Sequence, residues 1–494
     1  MGSTINQTEF SEAERARFSR RLQENLAALR GLLAQPGFGQ GDTTLGAEVE
    51  LYLIGQDGRP RGGNLDLLAA VEDPQFTPEL DRFNLEYNLS PVPAAGRPFS
   101  RMEAELMSAL SRINAPAAEH RTRVIPIGIL PTLHIGNFGP QAMTPLPRYT
   151  ALNNALRRIR GDHYKILISG EEPLSLEWGD VTLEGACTSF QVHLRVAPAD
   201  FARTYNAVQM TTPIVLAASC NSPLLLGHRL WQETRVPLFK LAVDGRNRDS
   251  RALHLPPRVD LGSGWLREGV FELFAAAVHL HEPLLPVCSR ENAKAQLRRG
   301  GIPQLRELRL HQGTLWPWNR PVYDPADGGH LRIEMRALPA GPSAIDMAAN
   351  AAFAIGLACG LRERIDELLP ALPFPLSAQN FYRSAQHGHA ARLFWPGRDG
   401  ALTHRPATEL ALELLPLAAR GLRLIGVTRA ECTRYLDIVR TRIERRRSGA
   451  AWQLRQLDRL EVRHGRIGAL RRMVNRYADH ALTNLPVANW PDMA

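Results

Sequence analysis

The stretch GAEVELYL at residues 46–53 alternates polar and apolar side chains. Successive side chains of a β-strand point to opposite faces, so Glu48 and Glu50 share one face while Val49 and Leu51 share the other. Two carboxylates on one face repel each other, and a divalent cation is the usual means of offsetting that repulsion. The stretch therefore predicts a strand with one core face and one face that carries acids.

Three further segments, residues 80–90, 188–196 and 331–338, show the same alternation. Their polar faces carry, in order, Asn84, Glu86 and Asn88; then Ser189, Gln191, His193 and Arg195; then Arg332, Glu334 and Arg336. Any one of these faces could simply meet water. Four such faces built mainly from Glu, His, Gln, Asn and Arg instead favour one shared polar site.

The residue types on these faces indicate the chemistry of that site. Carboxylate oxygens suit Mg²⁺ or Mn²⁺, and a neutral imidazole can join them. Arginines beside such acids indicate an anion that accompanies the metal, and a phosphate fits the planar guanidinium fork. Acids, metal and arginines together are the parts needed for phosphoryl transfer. The chain has no GxxxxGK[ST], HExxH or GxSxG motif.

Strands and helices are mixed without a regular strand–helix–strand rhythm. This pattern predicts an α+β fold with an antiparallel or mixed sheet and helices packed on its outer face. We expect an N-terminal helix and linker at 1–41, a catalytic domain at 42–375 and a helical C-terminal region at 376–494.

The composition of the 494 residues, 44% hydrophobic and 22% charged, is that of an ordinary globular protein. No run of eighteen uninterrupted apolar residues occurs, so we expect no membrane span. The polar start lacks the apolar core of a signal peptide, and the five scattered cysteines do not suggest a disulfide framework; both favour the cytoplasm.

The net charge of +9 comes largely from arginines beyond residue 440. Acids such as Glu444, Asp458 and Glu461 interleave with them, which is typical of a solvated helix face. Nucleic acid is therefore not the partner that this region favours.

Five motifs occur in a characteristic order. They are GxExE (46–50), the acid Glu86, TSFQVH (188–193), CNSP (220–223) followed by ETR (233–235), and RIEMR (332–336). In this order they resemble the glutamate–cysteine ligase family of bacterial carboxylate–amine ligases, within the glutamine synthetase-like superfamily. The resemblance covers roughly residues 42–360.

The resemblance implies an antiparallel sheet that forms an open funnel, with Mg²⁺ or Mn²⁺ bound by strand carboxylates. It further implies that ATP phosphorylates a substrate carboxylate, typically that of glutamate, and that an amine, typically that of cysteine, displaces phosphate to give an amide. By motif match the metal ligands would be Glu48, Glu50, Glu86, His193 and Glu334. The phosphate-binding catalytic residues would be Arg235 and Arg336, and the other ATP- or substrate-binding candidates are Gln191, Arg195, Asn221 and Arg332.

The chain departs from the family pattern in two places. Many relatives have a His-x-His strand where this chain has Gln191-Val192-His193, and many have a His-Pro-Phe segment where residues 133–138 read LHIGNF. We expect these differences to bear on which amino acids are the substrates more than on the ATP chemistry.

The sequence is also compatible with two other functions. One is a phosphotransferase like the guanidino kinases, which would yield a stable phosphorylated product. The other is a non-catalytic binding or regulatory protein that uses the basic C-terminal helices. A homo-oligomer is compatible with either function and with the ligase.

Overall fold

The computed structural model describes residues 5–161, 163–397 and 400–493. The strands are β1 (Thr44–Gly55), β2 (Phe76–Pro78), β3 (Asn84–Asn88), β4 (Val92–Pro93), β5 (Thr122–Ile125), β6 (Tyr164–Ile168), β7 (Leu174–Trp178), β8 (Phe190–Arg195), β9 (Leu224–Leu225), β10 (His228–Arg229), β11 (Asn319–Asp324), β12 (His330–Met335), β13 (Arg392–Pro396) and β14 (Leu402–Pro406). The helices up to the last strands of the central sheet are α1 (Glu12–Leu33), α2 (Asn64–Val71), α3 (Pro98–Glu119), α4 (Pro147–Arg160), α5 (Phe201–Ser219), α6 (Arg235–Ala242), α7 (Arg248–Ala252), α8 (Val270–Leu280), α9 (Ala293–Arg298) and α10 (Arg306–Gln312). The helices that follow are α11 (Ala344–Leu361), α12 (Ile365–Leu368), α13 (Phe374–His387), α14 (Ala407–Leu424), α15 (Arg429–Glu444) and α16 (Gly449–Leu482).

Within the described residues, the central sheet has eight strands, in the order β11-β12-β8-β1-β3-β2, with β4 and β5 also paired to β1. Every pairing in this sheet is antiparallel. The four alternating segments thus form the four consecutive strands β12, β8, β1 and β3. The predicted α+β fold, with a curled antiparallel sheet and helices, is confirmed.

The helices α3, α5 and α11 cover one face of the sheet. The apolar side chains of Val49, Val192 and Ile333 join the same buried cluster as residues of these helices. In this way the alternation along each strand sends one set of side chains into the core and leaves the other set on the concave face.

The helix α11 lies at the centre of the helical layer, and nearly all of its side chains are buried. Among the described residues, one helical stretch, Ala344–Leu368, is long and apolar enough to cross a membrane, and 94% of its most apolar window is buried inside the protein. Such burial is typical of a core helix. α5, α14 and α15 all pack against α11.

The C-terminal helices are tied to the rest of the chain by ion pairs. Arg466 contacts Glu172 at 2.6 Å. Arg442, which the sequence placed on a solvated helix face, is instead 1% exposed and contacts Asp346 of α11 at 2.7 Å. Residue 375, where we expected the catalytic domain to end, lies inside the continuous helix α13.

The crossing of α11 and α14 depends on glycine. A Cβ atom added to Gly421 would lie 2.0 Å from the carbonyl oxygen of Gly356 and 2.4 Å from the amide nitrogen of Gly360. No side chain fits between two backbones at that distance. We expect Gly421→Ala to lower the free energy of unfolding by about 1–3 kcal/mol through overpacking, as measured by urea denaturation.

A matched control is available in α16. A Cβ atom on Gly468 would meet only the Cβ of His464, at 3.2 Å. Gly468→Ala should leave stability unchanged or raise it slightly, because alanine is the better helix former. Equal losses in the two variants would contradict the proposed close crossing.

Candidate active site

A cavity of about 580 Å³ lies over the concave, polar face of the central sheet. Its lining includes Glu48 and Glu50 from β1, Glu86 from β3, His193 from β8 and Glu334 from β12. Residues paired across the sheet bring them together, since His193 lies opposite Glu334 and Glu50 opposite Glu86. All five predicted metal ligands thus share one cavity.

One group of possible ligand atoms comprises Glu48, His193 and Glu334, whose donor atoms lie within 4.8 Å of one another. The Nε2 atom of His193 is 3.3 Å from Oε1 of Glu48 and 3.7 Å from Oε1 of Glu334. His193 is only 6% exposed, yet neither ring nitrogen has a hydrogen-bond partner among the described residues. Buried polar atoms are normally satisfied, so this orphaned imidazole fits a metal ligand.

A second group comprises Glu50, Glu79 and Glu86, again with donor atoms within 4.8 Å of one another. Burial, together with the charges of Glu48 and Glu50, raises the pKa of Glu86 to about 8. Burial and the charge of Glu86 raise the pKa of Glu79 well above its ordinary value. Three crowded carboxylates of this kind fit a divalent cation, because its charge would favour the ionised forms.

Two arginines hold Glu334 in place. Its carboxylate accepts hydrogen bonds from Nη2 of Arg320 at 2.9 Å and from Nη1 of Arg336 at 3.4 Å. Burial acts to raise the pKa of Glu334, but these two guanidinium groups outweigh it and hold that pKa below the ordinary range. Arg336 also donates to the side-chain oxygen of Gln191. The site therefore presents fixed cations beside its acids.

The two remaining predicted binding residues that reach the cavity are Gln191 and Arg332. Gln191 donates to Oε1 of Glu50 at 3.0 Å, while the backbone amide of Ser189 donates to Oε2 of the same carboxylate at 2.6 Å. Arg332 forms an ion pair of 2.8 Å with Asp324. Both residues thus orient acids on the cavity floor or rim.

Three predicted residues, Arg195, Asn221 and Arg235, do not line this cavity. The Nδ2 atom of Asn221, a fully buried residue, donates to the carbonyl oxygen of Ala340 at 2.7 Å. Arg195 donates to the carbonyl oxygen of Gln40 at 2.7 Å. The CNSP and ETR motifs pair with each other through Ser222 and Glu233, and their polar side chains are buried.

Arg235 contacts the site only indirectly. It is 2% exposed, pairs with Glu233 at 2.6 Å and donates to the carbonyl oxygen of Ala337 at 2.7 Å. Its charge acts to lower the pKa of Glu50, although burial raises that pKa overall. The structure therefore places Arg235 outside the cavity lining, and its contact with phosphate stays a prediction.

The charged cavity residues that sequence reasoning missed include Glu79, Glu184 and Arg320. Glu79 follows the three-residue strand β2, and Glu184 lies in a short 3₁₀ turn, so neither shows strand alternation. Arg320 does lie on a strand, and β11 pairs it with Glu334. The proline next to it, Pro321, hides the alternation in the sequence NRPVYD.

The sequence of this region has a family match. Residues 44–260 match the model of glutamate–cysteine ligase family 2. The chain carries a glutamate–cysteine ligase family 2 region. The predicted resemblance to glutamate–cysteine ligases is confirmed, as is the predicted enzyme class, an ATP-dependent ligase. The family match includes Glu48 through Arg235 but ends before Arg320, Glu334 and Arg336. No curated protein sequence matches the chain significantly.

Solved structures of two enzymes resemble the fold of this chain. The structure of glutamate–cysteine ligase from Francisella tularensis in complex with AMP is similar, with a TM-score of 0.52, 10% identity and coverage of 90% of each chain. A bifunctional glutathione synthetase from Pasteurella multocida aligns with a TM-score of 0.46 and 11% identity, covering 94% of this chain and 55% of that one. The similarity to the Francisella tularensis structure extends the fold match beyond residue 260.

Proposed function

We propose that the protein is an ATP- and Mg²⁺-dependent carboxylate–amine ligase that forms an amide bond, with glutamate as the acid substrate. The observation that carries the proposal is that two acid clusters and two fixed arginines line one cavity. The family match over β1, β3 and β8 supports the same chemistry. The proposed product is a γ-glutamyl amide formed through an acyl phosphate.

The two acid clusters would each hold a divalent cation, one at Glu50, Glu79 and Glu86 and the other at Glu48, His193 and Glu334. The cations, when bound, supply charge neutralisation for the phosphate oxygens of ATP. The cluster of Glu48, His193 and Glu334 has fewer free lone pairs, because Glu334 is already bound to Arg320. We therefore expect the cluster of Glu50, Glu79 and Glu86 to bind its cation more tightly.

In the proposed reaction, the arginines neutralise the negative charge that builds up during phosphoryl transfer. Arg320 and Arg336 are held by Glu334 before any substrate arrives, so little reorganisation is needed during reaction. Arg306 and Arg309 lie on α10, and both line the same cavity. This side of the cavity would therefore receive the phosphates of ATP.

The proposed reaction has two steps. An oxygen of the substrate carboxylate attacks the γ-phosphorus, and the bond to the bridging oxygen breaks, so that ADP leaves with that electron pair. The ammonium group of the second substrate gives one proton to solvent, and the neutral amine nitrogen then attacks the acyl carbon. The carbon–oxygen bond to phosphate breaks, the phosphate leaves with that electron pair, and the nitrogen loses its second proton to the departing phosphate.

Product analysis tests this function directly. The protein with ATP, Mg²⁺, glutamate and hydroxylamine should yield ADP, inorganic phosphate and a glutamyl hydroxamate, because hydroxylamine traps acyl phosphates. A stable phosphorylated product without inorganic phosphate would instead indicate the phosphotransferase. Absence of ADP with every carboxylate tried would exclude both.

A pair of arginine variants locates the reaction in the cavity. Arg336→Lys should slow ADP release by about 100-fold or more, because the planar guanidinium cannot be replaced by an ammonium at this position. Arg203→Lys makes the same change at an exposed pair with Asp366, outside the cavity lining. That control should keep the wild-type rate.

A further inference from the structure

Part of the cavity lining is apolar. Leu152 of α4, Val181, Val243 and Leu285 line the cavity, and they pack in or against one hydrophobic cluster that also contains Tyr149. Burial and the charge of Glu79 raise the pKa of the Tyr149 phenol. These four apolar residues form a wall in the same cavity as the acids.

Glu184 is a further acid of the same cavity. Its side chain lines the cavity, and its charge affects the pKa values of both Glu79 and Tyr149. Among the described residues, no side chain forms an ion pair or hydrogen bond with its carboxylate. Burial and the charge of Glu50 raise the pKa of Glu184 to about 8, and Arg336, whose charge acts to lower it, is bound to Glu334 and Gln191.

The backbone that carries Glu184 is fixed. A Cβ atom on Gly185 would lie 2.4 Å from Oδ2 of Asp81, so the turn packs directly against that buried carboxylate. The backbone amide of Cys187 donates to the carbonyl oxygen of Glu184 at 2.8 Å. The backbone that places Glu184 on the cavity lining is therefore held on both sides.

We propose that this part of the cavity binds the amine substrate, a primary amine with a bulky apolar side chain, with its ammonium at Glu184 and its side chain against Leu152 and Val243. The inference rests on the proposed ligase function and names the class of its second substrate. The side chains of this wall carry no polar group, so a ligand binds more tightly when it buries more apolar area against them. Each buried methylene group raises affinity about fourfold. Leucine should therefore be used better than alanine or cysteine.

An amine panel tests the substrate class. With ATP, Mg²⁺ and glutamate, we expect kcat/KM for leucine to exceed that for alanine by tens-fold, measured as amide product by mass spectrometry. Cysteine used as well as leucine would overturn the inference. Hydroxylamine separates the two proposals: without hydroxamate the ligase function itself fails, whereas hydroxamate without a preference for apolar amines refutes only the substrate class.

Filling the wall provides a second test. Leu152→Trp should lower the ratio of kcat/KM for leucine to that for alanine by about tenfold. Leu152 is partly exposed and lines the cavity, so the larger tryptophan ring would occupy space in the cavity that the leucine substrate needs. Arg157→Trp, at an exposed position of the same helix outside the cavity lining, should keep the wild-type ratio. A rise in KM for ATP with an unchanged ratio would assign the wall to the nucleotide and overturn the inference.

The role of Glu184 is tested separately. Glu184→Gln should raise KM for the amine by about tenfold or more and leave Mn²⁺ binding to the free protein unchanged, as followed by electron paramagnetic resonance. Weaker Mn²⁺ binding would make Glu184 a metal ligand and remove it from the amine site. An unchanged KM would also refute the proposed contact.

Discussion

Glu86→Gln should lower the rate of ADP release by about 10²–10³-fold, the size typical of losing one charge-stabilising group from an active site. Glu86 shares its cluster with Glu50 and Glu79, and glutamine cannot supply the negative charge that a divalent cation requires. The same variant should be more stable than the wild type when no metal is present. Both effects come from the same crowding of carboxylates.

The stability gain depends on pH in a defined direction. The pKa of Glu86 is raised from 4.5 to about 8 by folding, so the folded protein holds this proton more tightly than the unfolded chain. Wild-type stability should therefore fall as the pH rises from about 4.5 to about 8, while Glu86→Gln escapes this loss. Thermal melting in a chelator should show the two proteins converging at acidic pH and separating toward pH 8.

Manganese should reverse the order of stability. Added Mn²⁺ should raise the melting temperature of the wild type, because it binds the native state, and should raise that of Glu86→Gln much less. Glu177→Gln makes the same chemical change at a side chain that is 66% exposed, and it should behave as wild type. An Mn²⁺ response of wild-type size in Glu86→Gln would contradict the proposed cluster.

Arg442→Met should lower the free energy of unfolding by about 3–5 kcal/mol, the cost typical of removing one partner from a buried ion pair. Arg442 and Asp346 are 1% and 0% exposed at their side chains, and their contact measures 2.7 Å. Methionine fills much of the volume but leaves the carboxylate of Asp346 without its cation. Chemical denaturation followed by circular dichroism would measure the loss.

Two companion variants separate the charge from the packing. Arg442→Met combined with Asp346→Asn should recover part of the lost stability, since no unpaired charge remains buried. Arg440→Met removes an arginine of the same helix that is 45% exposed and pairs with Asp437, and it should cost at most about 1 kcal/mol. Similar losses from Arg440→Met and Arg442→Met would show that the buried pair is unimportant.

The central part of the site was predictable because strand alternation is a local signal. A period of two assigns Glu48 and Glu50 to one face whatever the partners of the strand are. The helix start at Ser11 rests on an equally local signal, since Ser11 and Glu14 form a capping box within four residues. Such features depend on neighbours in sequence, which a single chain displays.

The rest of the site depends on contacts between distant segments. Arg320 reaches Glu334 because β11 pairs with β12, and Glu79 joins Glu86 because β2 pairs with β3. The local sequence predicts neither pairing, because β2 has only three residues and β11 is interrupted by a proline. The burial of the Asn221 side chain also depends on a distant segment, because its partners Tyr477 and Gln453 lie on α16.

The central helix α11 has a consequence for how the protein must be made. Its surface is mostly apolar and is covered by α5, α14 and α15, of which α14 and α15 follow it in the chain. During synthesis this helix leaves the ribosome before those covers exist, so it must be shielded from aggregation or from membrane insertion until residues 407–444 emerge. Shortened versions that end before residue 407 should therefore require chaperones and be degraded, even though they contain every acid and arginine of the cavity.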